Sequence, residues 1–348
     1  TDEILVYCRT GVRSSIASQI LADNGFLYVY NMLGGITAWV DAGYPVYVKY
    51  SSIQEAINNA NEGDTIFVSS GTYYEHVAIA KSLSLVGEDK DNTIFNGTVD
   101  VNPQIDVEAD NVTITGFTFE GWTFTNININ ASTNVTVKGN RILFNGGGIN
   151  VNNSNNNTIS NNIIEGTGLD NIGICVGYSS GNVIENNTVS GAVYDGIRLF
   201  VSHRNVIHDN NISENDFGIY FYSSDNNAIF DNLVSNNGGG IWLEGSSDEN
   251  TILDNTISEN YRGTTILYGS LNNKVIHNNF VNNTNQVYTE NLLNVWNDDY
   301  PHGGNYWSNY SGVDLYSGPY QNETGSDGIG DTLHAIDESN KDNYPLMG

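Results

Sequence analysis

A short phrase, Asn-x-[Ile/Val]-x-x-Asn-x-[apolar], recurs through the middle of this 348-residue chain and constrains its fold more than any other feature. It begins at Asn157, Asn182, Asn205, Asn227, Asn250 and Asn273, in steps of 25, 23, 22, 23 and 23 residues. A second phrase, Gly-Ile-x-[apolar], keeps step at Gly148, Gly173, Gly196, Gly218 and Gly240. Looser forms reach back to Val135-Thr136-Val137 and Val112-Thr113-Ile114. A period near 23 residues fits leucine-rich repeats and parallel β-helices. Here the apolar positions are mostly Ile and Val, one residue apart, with Gly and Asn between them. That is strand alternation punctuated by turns. The sequence therefore predicts a mainly β fold, a right-handed parallel β-helix, built as a solenoid of coils of about 22–25 residues. One coil cannot bury its inner side chains alone; stacking on the next coil does so.

Asn162, Asn187, Asn210, Asn232, Asn255 and Asn278 share one repeat offset. Stacked in register, each amide can donate to one neighbour and accept from the other, as in an Asn ladder. Asn also tolerates the left-handed backbone of corners. These residues read as structural.

The two ends differ. Residues 1–48 alternate strand (Glu3–Cys8), helix (about Ser14–Asn24), strand (Leu27–Tyr30) and short helix (about Ile36–Ala42), an α/β pattern. Ser52–Ala60 reads as an amphipathic helix with Ile53, Ala56, Ile57 and Ala60 on one face, placed to cap the solenoid of residues 49–300. Residues 301–348 lose the repeat, become rich in Gly, Asp and Tyr, and read as the opposite cap.

Charge narrows the partners. Asp+Glu 40 against Lys+Arg 12 gives a net charge of −28, which argues against nucleic acid and anionic membrane surfaces. Two cysteines exclude a disulfide framework. The longest apolar runs, such as Ile4–Cys8, are far too short to span a membrane.

The sharpest chemical motif is Cys8-Arg9-Thr10-Gly11-Val12-Arg13-Ser14, between a strand and a helix. A thiol above backbone N–H groups and a helix N-terminus, with Arg9 and Arg13 close by, is expected to have a depressed pKa. This loop resembles the active-site loop of the rhodanese-like family, Cys-x-x-Gly-x-Arg-[Ser/Thr], and Leu33-Gly34-Gly35-Ile36-Thr37-Ala38-Trp39 resembles another familiar stretch of it. The likeness covers the C-terminal half of such a domain. It implies Cys8 as sulfur carrier, with Arg9 and Arg13, in a cradle of Thr10, Gly11, Val12 and Ser14, and a donor such as thiosulfate.

Residues 51–348 resemble the NosD-like β-helix proteins of archaeal and bacterial envelopes. The likeness rests on Gly63-Asp64-Thr65-Ile66-Phe67-Val68, the Asn and Gly-Ile repeats, Gly303-Gly304-Asn305-Tyr306-Trp307-Ser308, Asp327-Gly328-Ile329-Gly330-Asp331 and Asp342-Asn343-Tyr344-Pro345-Leu346. It implies an extracellular, cell-surface or periplasmic location. The namesake is linked to copper, which prefers His, Cys and Met ligands. His76, His203, His208, His277, His302, His334, Cys175 and Met347 have no tight ligand spacing, so no copper site is expected. Calcium is the cofactor the sequence favours: Asp327 and Asp331 offer hard oxygen donors on a Gly turn, with Asp314, Glu323 and Asp337 near in sequence.

In the Gly-Ile-x-[apolar] strand the residue between the apolar pair faces outward. One outward column reads Asn150, Cys175, Arg198, Tyr220, Trp242, and the next Asn152, Gly177, Phe200, Tyr222, Glu244. Aromatic rows with polar neighbours suit sugar rings. The expected glycan-contacting set is Arg198, Phe200, Tyr220, Tyr222, Trp242 and Glu244, with Asp195 and Asp216 before successive Gly-Ile phrases. Asp195 and Asp216, on adjacent coils, also read as a carboxylate pair for hydrolysis. Three functions stay open: a polysaccharide-binding envelope scaffold, a sulfurtransferase acting through Cys8, and a polysaccharide hydrolase or lyase on the Arg198–Trp242 face.

Overall fold

The computed structural model describes residues 4–43, 50–100, 103–144, 146–166, 171–290 and 292–348. It divides into two compact units, Thr1–Ser51 and Ser52–Gly348. The boundary read at 48/49 lies outside the described residues.

In the first unit, β1 (Ile4–Val6) pairs in parallel with β2 (Val29–Asn31), with α1 (Val12–Asp23) between them and α2 (Gly35–Asp41) after. Little of it is buried: among its described residues only Gly11, Ser14 and Gly35 are. Apolar side chains such as Leu5 (58% exposed), Ile16 (61%) and Leu27 (83%) stand in the open.

The second unit opens with α3 (Ile53–Asn59), which buries Ile53, Ala56 and Ile57. Ser52 caps it, its hydroxyl accepting from the Glu55 N–H at 3.0 Å. The Glu75 carboxylate accepts from the free N–H groups of Ile53 (3.0 Å) and Gln54 (3.1 Å). Beyond it the chain winds as the repeat requires. Among the described residues three parallel sheets of 11, 10 and 10 strands form, each strand pairing with those one coil before and after. Tyr306–Trp307 supplies the last strand of the 11-stranded sheet, against Asn279–Val281. The interior is a file of aliphatic side chains, with Ile184, Ile207, Ile229 and Ile252 all fully buried in one column.

Amide ladders bind the corners. The oxygen of each ladder Asn accepts from the backbone and side-chain N–H of the Asn one coil earlier: Asn210 to Asn232, Asn232 to Asn255 and Asn255 to Asn278, all at 2.9–3.0 Å. Each Nδ2 also donates to a coil-interior carbonyl, as Asn232 does to Ile207 at 2.9 Å. The backbone strain falls on the preceding residue: Asn161, Asn186, Asp209, Asp231, Asp254 and His277 have φ between 52° and 56°. Asn182, Asn205, Asn227, Asn250 and Asn273 form a second ladder, and Asn215, Asn237, Asn260 and Asn283 a third. A serine file, Ser154, Ser179, Ser202, Ser224, Ser247 and Ser270, does the same at another corner. Buried polar atoms thus find partners along the stack, as burial demands.

The glycines of the second phrase have a steric cause. A Cβ on Gly196 would lie 2.8 Å from the carbonyl oxygen of Gly218, and one on Gly218 2.6 Å from that of Gly240. No other residue fits where successive coils bend this closely.

The C-terminal segment seals the ladders. Asp342 accepts from the N–H of Asn305 at 2.7 Å and from Trp307 Nε1 at 2.8 Å. Asn340 accepts from Asn294 N–H at 3.1 Å and Trp296 Nε1 at 3.0 Å. Burial pushes the Asp342 carboxyl up to about 6 against these bonds.

Candidate functional sites

The Cys8 loop is built by interlocking glycines. Gly11 and Gly34 take φ of 83° and 76°, a backbone region open to glycine. A Cβ on Gly35 would sit 2.1 Å from the Cys8 carbonyl oxygen. This close approach lets Ile36 N–H donate to Cys8 O (2.9 Å), and Thr37 donate to Arg9 O from its N–H (3.0 Å) and hydroxyl (2.7 Å). The second motif therefore clamps the first.

The Cys8 thiol is lowered to about 6. The causes are hydrogen bonds: the Ser14 N–H first, its hydroxyl next, then the N–H groups of Thr10 and Arg13. The expectation that the Arg charges help is corrected here. Arg9 and Arg13 are exposed, where water screens them, and the lowering comes from amides and the Ser14 hydroxyl. Gly11 and Val12 shape the turn, and Gly11 O accepts from the Ser14 hydroxyl at 3.1 Å.

The outward face lies on the strands Ile172–Gly177, Asp195–Phe200, Phe217–Tyr222 and Gly239–Glu244. Their register aligns Asn150, Cys175, Arg198, Tyr220 and Trp242 in one file, and Asn152, Gly177, Phe200, Tyr222 and Glu244 in the next. A third file had escaped the sequence: Asp195, Phe217, Gly239 and Arg262. Register passes from Asp195–Phe217 to Ile197–Ile219 across the bend at Gly196 and Gly218. That bend brings the residue before each glycine onto the same face as the residue two after it.

The three files interact. Asp195 is 1% exposed, and its Oδ2 accepts a short hydrogen bond from Arg198 Nε. Its Oδ1 is buried without a partner among the described residues. Burial outweighs Arg198 and raises the Asp195 carboxyl to about 6. Arg198 lies over the Tyr220 ring at 5.4 Å. Glu244 accepts from the Tyr220 hydroxyl and from Trp242 Nε1 (3.0 Å), fixing both rings. Burial first, and that bond second, push the Tyr220 phenol above its usual range. Phe217 meets Trp242 edge-on at 4.8 Å, and Phe200 stacks on Tyr222 at 5.3 Å. Burial pushes the Cys175 thiol up to about 11, which leaves it a poor nucleophile.

One sequence assignment changes. Asp216 is not the coil-to-coil partner of Asp195; Phe217 is, because the glycine bend sets the register, and Asp216 is exposed. The carboxylates of the acidic turn are occupied by backbone. Asp331 accepts from Leu315 and Tyr316 N–H at 2.9 and 3.0 Å, Asp314 accepts from Asp327 and Gly328 N–H at 3.1 and 2.9 Å, and Asp327 accepts from Ile329 N–H at 3.1 Å. They tie the cap together, and among the described residues no three His, Cys, Asp or Glu side chains gather to hold a metal ion.

A coiled stack of three parallel sheets, capped at one end by a helix and at the other by a plug, defines the class as a parallel β-helix protein. The chain belongs to the family described as periplasmic copper-binding protein (NosD), whose profile matches residues 57–237 and again 171–312. A rhodanese-like domain profile matches residues 1–42. Rhodanese-like domain-containing protein 17 of Arabidopsis thaliana is 41% identical over 54 residues, 16% of this chain and 35% of that protein. A sulfurtransferase of Allochromatium vinosum is 41% identical over 44 residues, 13% of this chain and 41% of that protein. The chain thus spans well under half the length of these curated relatives. Among solved structures, a mutant of the periplasmic alginate epimerase AlgG superimposes with a TM-score of 0.50 at 16% identity, covering 71% of this chain and 82% of that one. An alginate lyase from Paenibacillus sp. str. FPU-7 gives 0.48 at 18% identity, covering 74% and 95%. At such identities the likeness is one of fold.

Copper in the family's name finds no matching donor set among the described residues. His208 stacks on Phe230 at 4.9 Å between Glu185 (3.2 Å) and Asp209 (2.7 Å). His203 Nδ1 accepts from Asp225 N–H at 3.0 Å, and His334 stacks on Trp307 at 4.5 Å. These imidazoles are dispersed and engaged elsewhere, and they do not form a copper ligand set.

Proposed function

We propose that this chain is an extracytoplasmic scaffold whose Arg198–Trp242 face binds a polysaccharide. One observation carries the reading: aromatic rings in successive coils share a face with Asp195, Arg198 and Glu244. Sugar rings offer C–H faces to such rings and hydroxyls to such polar groups. Tyr220 and Trp242, held by Glu244, are pre-set and lose little freedom on binding. The periplasmic description of the family supports the location. On a glycan array, Trp242→Ala is expected to weaken binding by about tenfold or more. Undiminished binding by a folded Trp242→Ala protein overturns the assignment.

A second reading belongs to the other unit and rests on the lowered Cys8 thiol. The Cys8 thiolate attacks the outer sulfur of thiosulfate, the S–S bond breaks, and sulfite leaves with the electron pair, so that Cys8 carries a persulfide. The cradle amides then stabilise that anion. Mass spectrometry after thiosulfate treatment is expected to show one added sulfur atom on Cys8, lost in Cys8→Ser; an unmodified thiol removes sulfur transfer by this chain.

A further inference from the structure

Arg262 lies on the platform but outside the residues that the repeat singles out. It follows Asp195, Phe217 and Gly239 in the third file, three coils from Asp195, or roughly 14 Å along the axis. The chain has 40 acidic and 12 basic residues, so a carboxylate partner is easy to supply. Three other cations of the chain take one: Arg141 pairs with Glu165 at 3.1 Å, Lys274 with Asp298 at 2.7 Å, and Arg198 with Asp195. Arg262 makes no ion pair or side-chain hydrogen bond among the described residues. Two ring faces hold it, Tyr288 at 4.7 Å and Trp242 at 5.6 Å. Stacking uses the face of a guanidinium and leaves its in-plane N–H donors unspent.

A second unsatisfied group lies on the same strand. Thr265 stands in register between Trp242 and Tyr288, the two rings that hold Arg262. Its hydroxyl is buried without a partner among the described residues. Such orphans are uncommon in folded proteins, and here one sits beside a charge without a counter-ion. The planar fork of a guanidinium fits two oxygens of one oxyanion.

The geometry points to an anion-binding subsite at Arg262, so that the polysaccharide held on this face carries an acidic group, a carboxylate or a sulfate ester. This rests on the polysaccharide reading above and narrows it to acidic glycans. A glycan chain lying along the solenoid axis places its acidic group on Arg262 and its sugar rings over Trp242 and Tyr220. The net charge of −28 opposes a polyanion at long range. At about 0.15 M salt the screening length is ~8 Å, so local contacts decide the outcome.

Calorimetry on the full chain at that salt tests this with three ligands of equal length: an oligouronide, its carboxyl-reduced neutral counterpart, and a sulfated neutral oligosaccharide. One acidic ligand is expected to bind about tenfold tighter than the neutral one. Arg262→Gln removes the preference for the acidic ligand, and Arg262→Lys, which lacks the fork, keeps only part of it. An unchanged melting temperature shows that each variant is folded. The better of the two acidic ligands identifies the anion. Equal binding of acidic and neutral ligands, both lost in Trp242→Ala, overturns the acidic subsite and leaves the polysaccharide reading standing. Binding of none of the three overturns both.

Discussion

The two units hold their shape by opposite means. In the solenoid, buried aliphatic files repeat from coil to coil and amide ladders run from Asn140 onward, so each contact is supported by the ones above and below. In residues 4–43 the buried positions are two glycines and Ser14, and order around Cys8 comes from backbone meeting backbone. Repetition makes a rigid surface on which side chains can vary. Glycine interlock makes a fixed ring of N–H groups with almost no core beneath it. A binding platform needs the first, and an anion cradle the second.

The sharpest contrast is between two isoleucines. Ile219→Ala, in the fully buried file, is expected to cost about 3 kcal/mol in denaturant unfolding, whereas Ile16→Ala on exposed α1 stays within about 0.5 kcal/mol. Equal losses break the comparison. Asp195 gives a smaller, pH-dependent effect. Its folded carboxyl is raised from 3.8 to about 6, so the folded state holds the proton more tightly. The stability this supplies is full below the unfolded pKa and is lost as pH rises through 6. Asp195→Asn lacks the dependence, so the parent loses about 2 kcal/mol relative to the variant between pH 4 and 7. Parallel stability curves contradict the burial of that charge. The smallest effect is chemical. Ser14→Ala, removing one of several bonds to Cys8, is expected to move the alkylation midpoint up from about 6. The rate near neutral pH then falls by roughly twofold. An unmoved midpoint assigns the lowering to the amides alone.

Most of the solenoid was legible because its physics is periodic. A buried Asn must pair along the stack, so Asn162 through Asn278 declared both the ladder and the coil length. The platform was half legible. Arg198, Tyr220 and Trp242 follow from strand alternation past Gly-Ile. Phe217 and Arg262 do not, because the bend at each glycine turns the preceding residue onto that face. Arg262 was hidden further because its phrase reads Gly263-Thr264, and the coil lost its signature there. The Cys8 loop was legible as a motif, while the source of its lowered thiol was not. Distance and exposure, which spacing does not encode, favour amides over arginines.

The ladders also have a direction. Every rung offers its side-chain oxygen toward the preceding coil and its backbone N–H toward the following one, from Asn140 to Asn305. Two such stacks can therefore continue each other only tail to head, never face to face. At the donor end Asp342 and Asn340 already occupy the place a further coil would take. The plug is a terminator: it fixes how long the column grows and withholds the open end that would template a fibre.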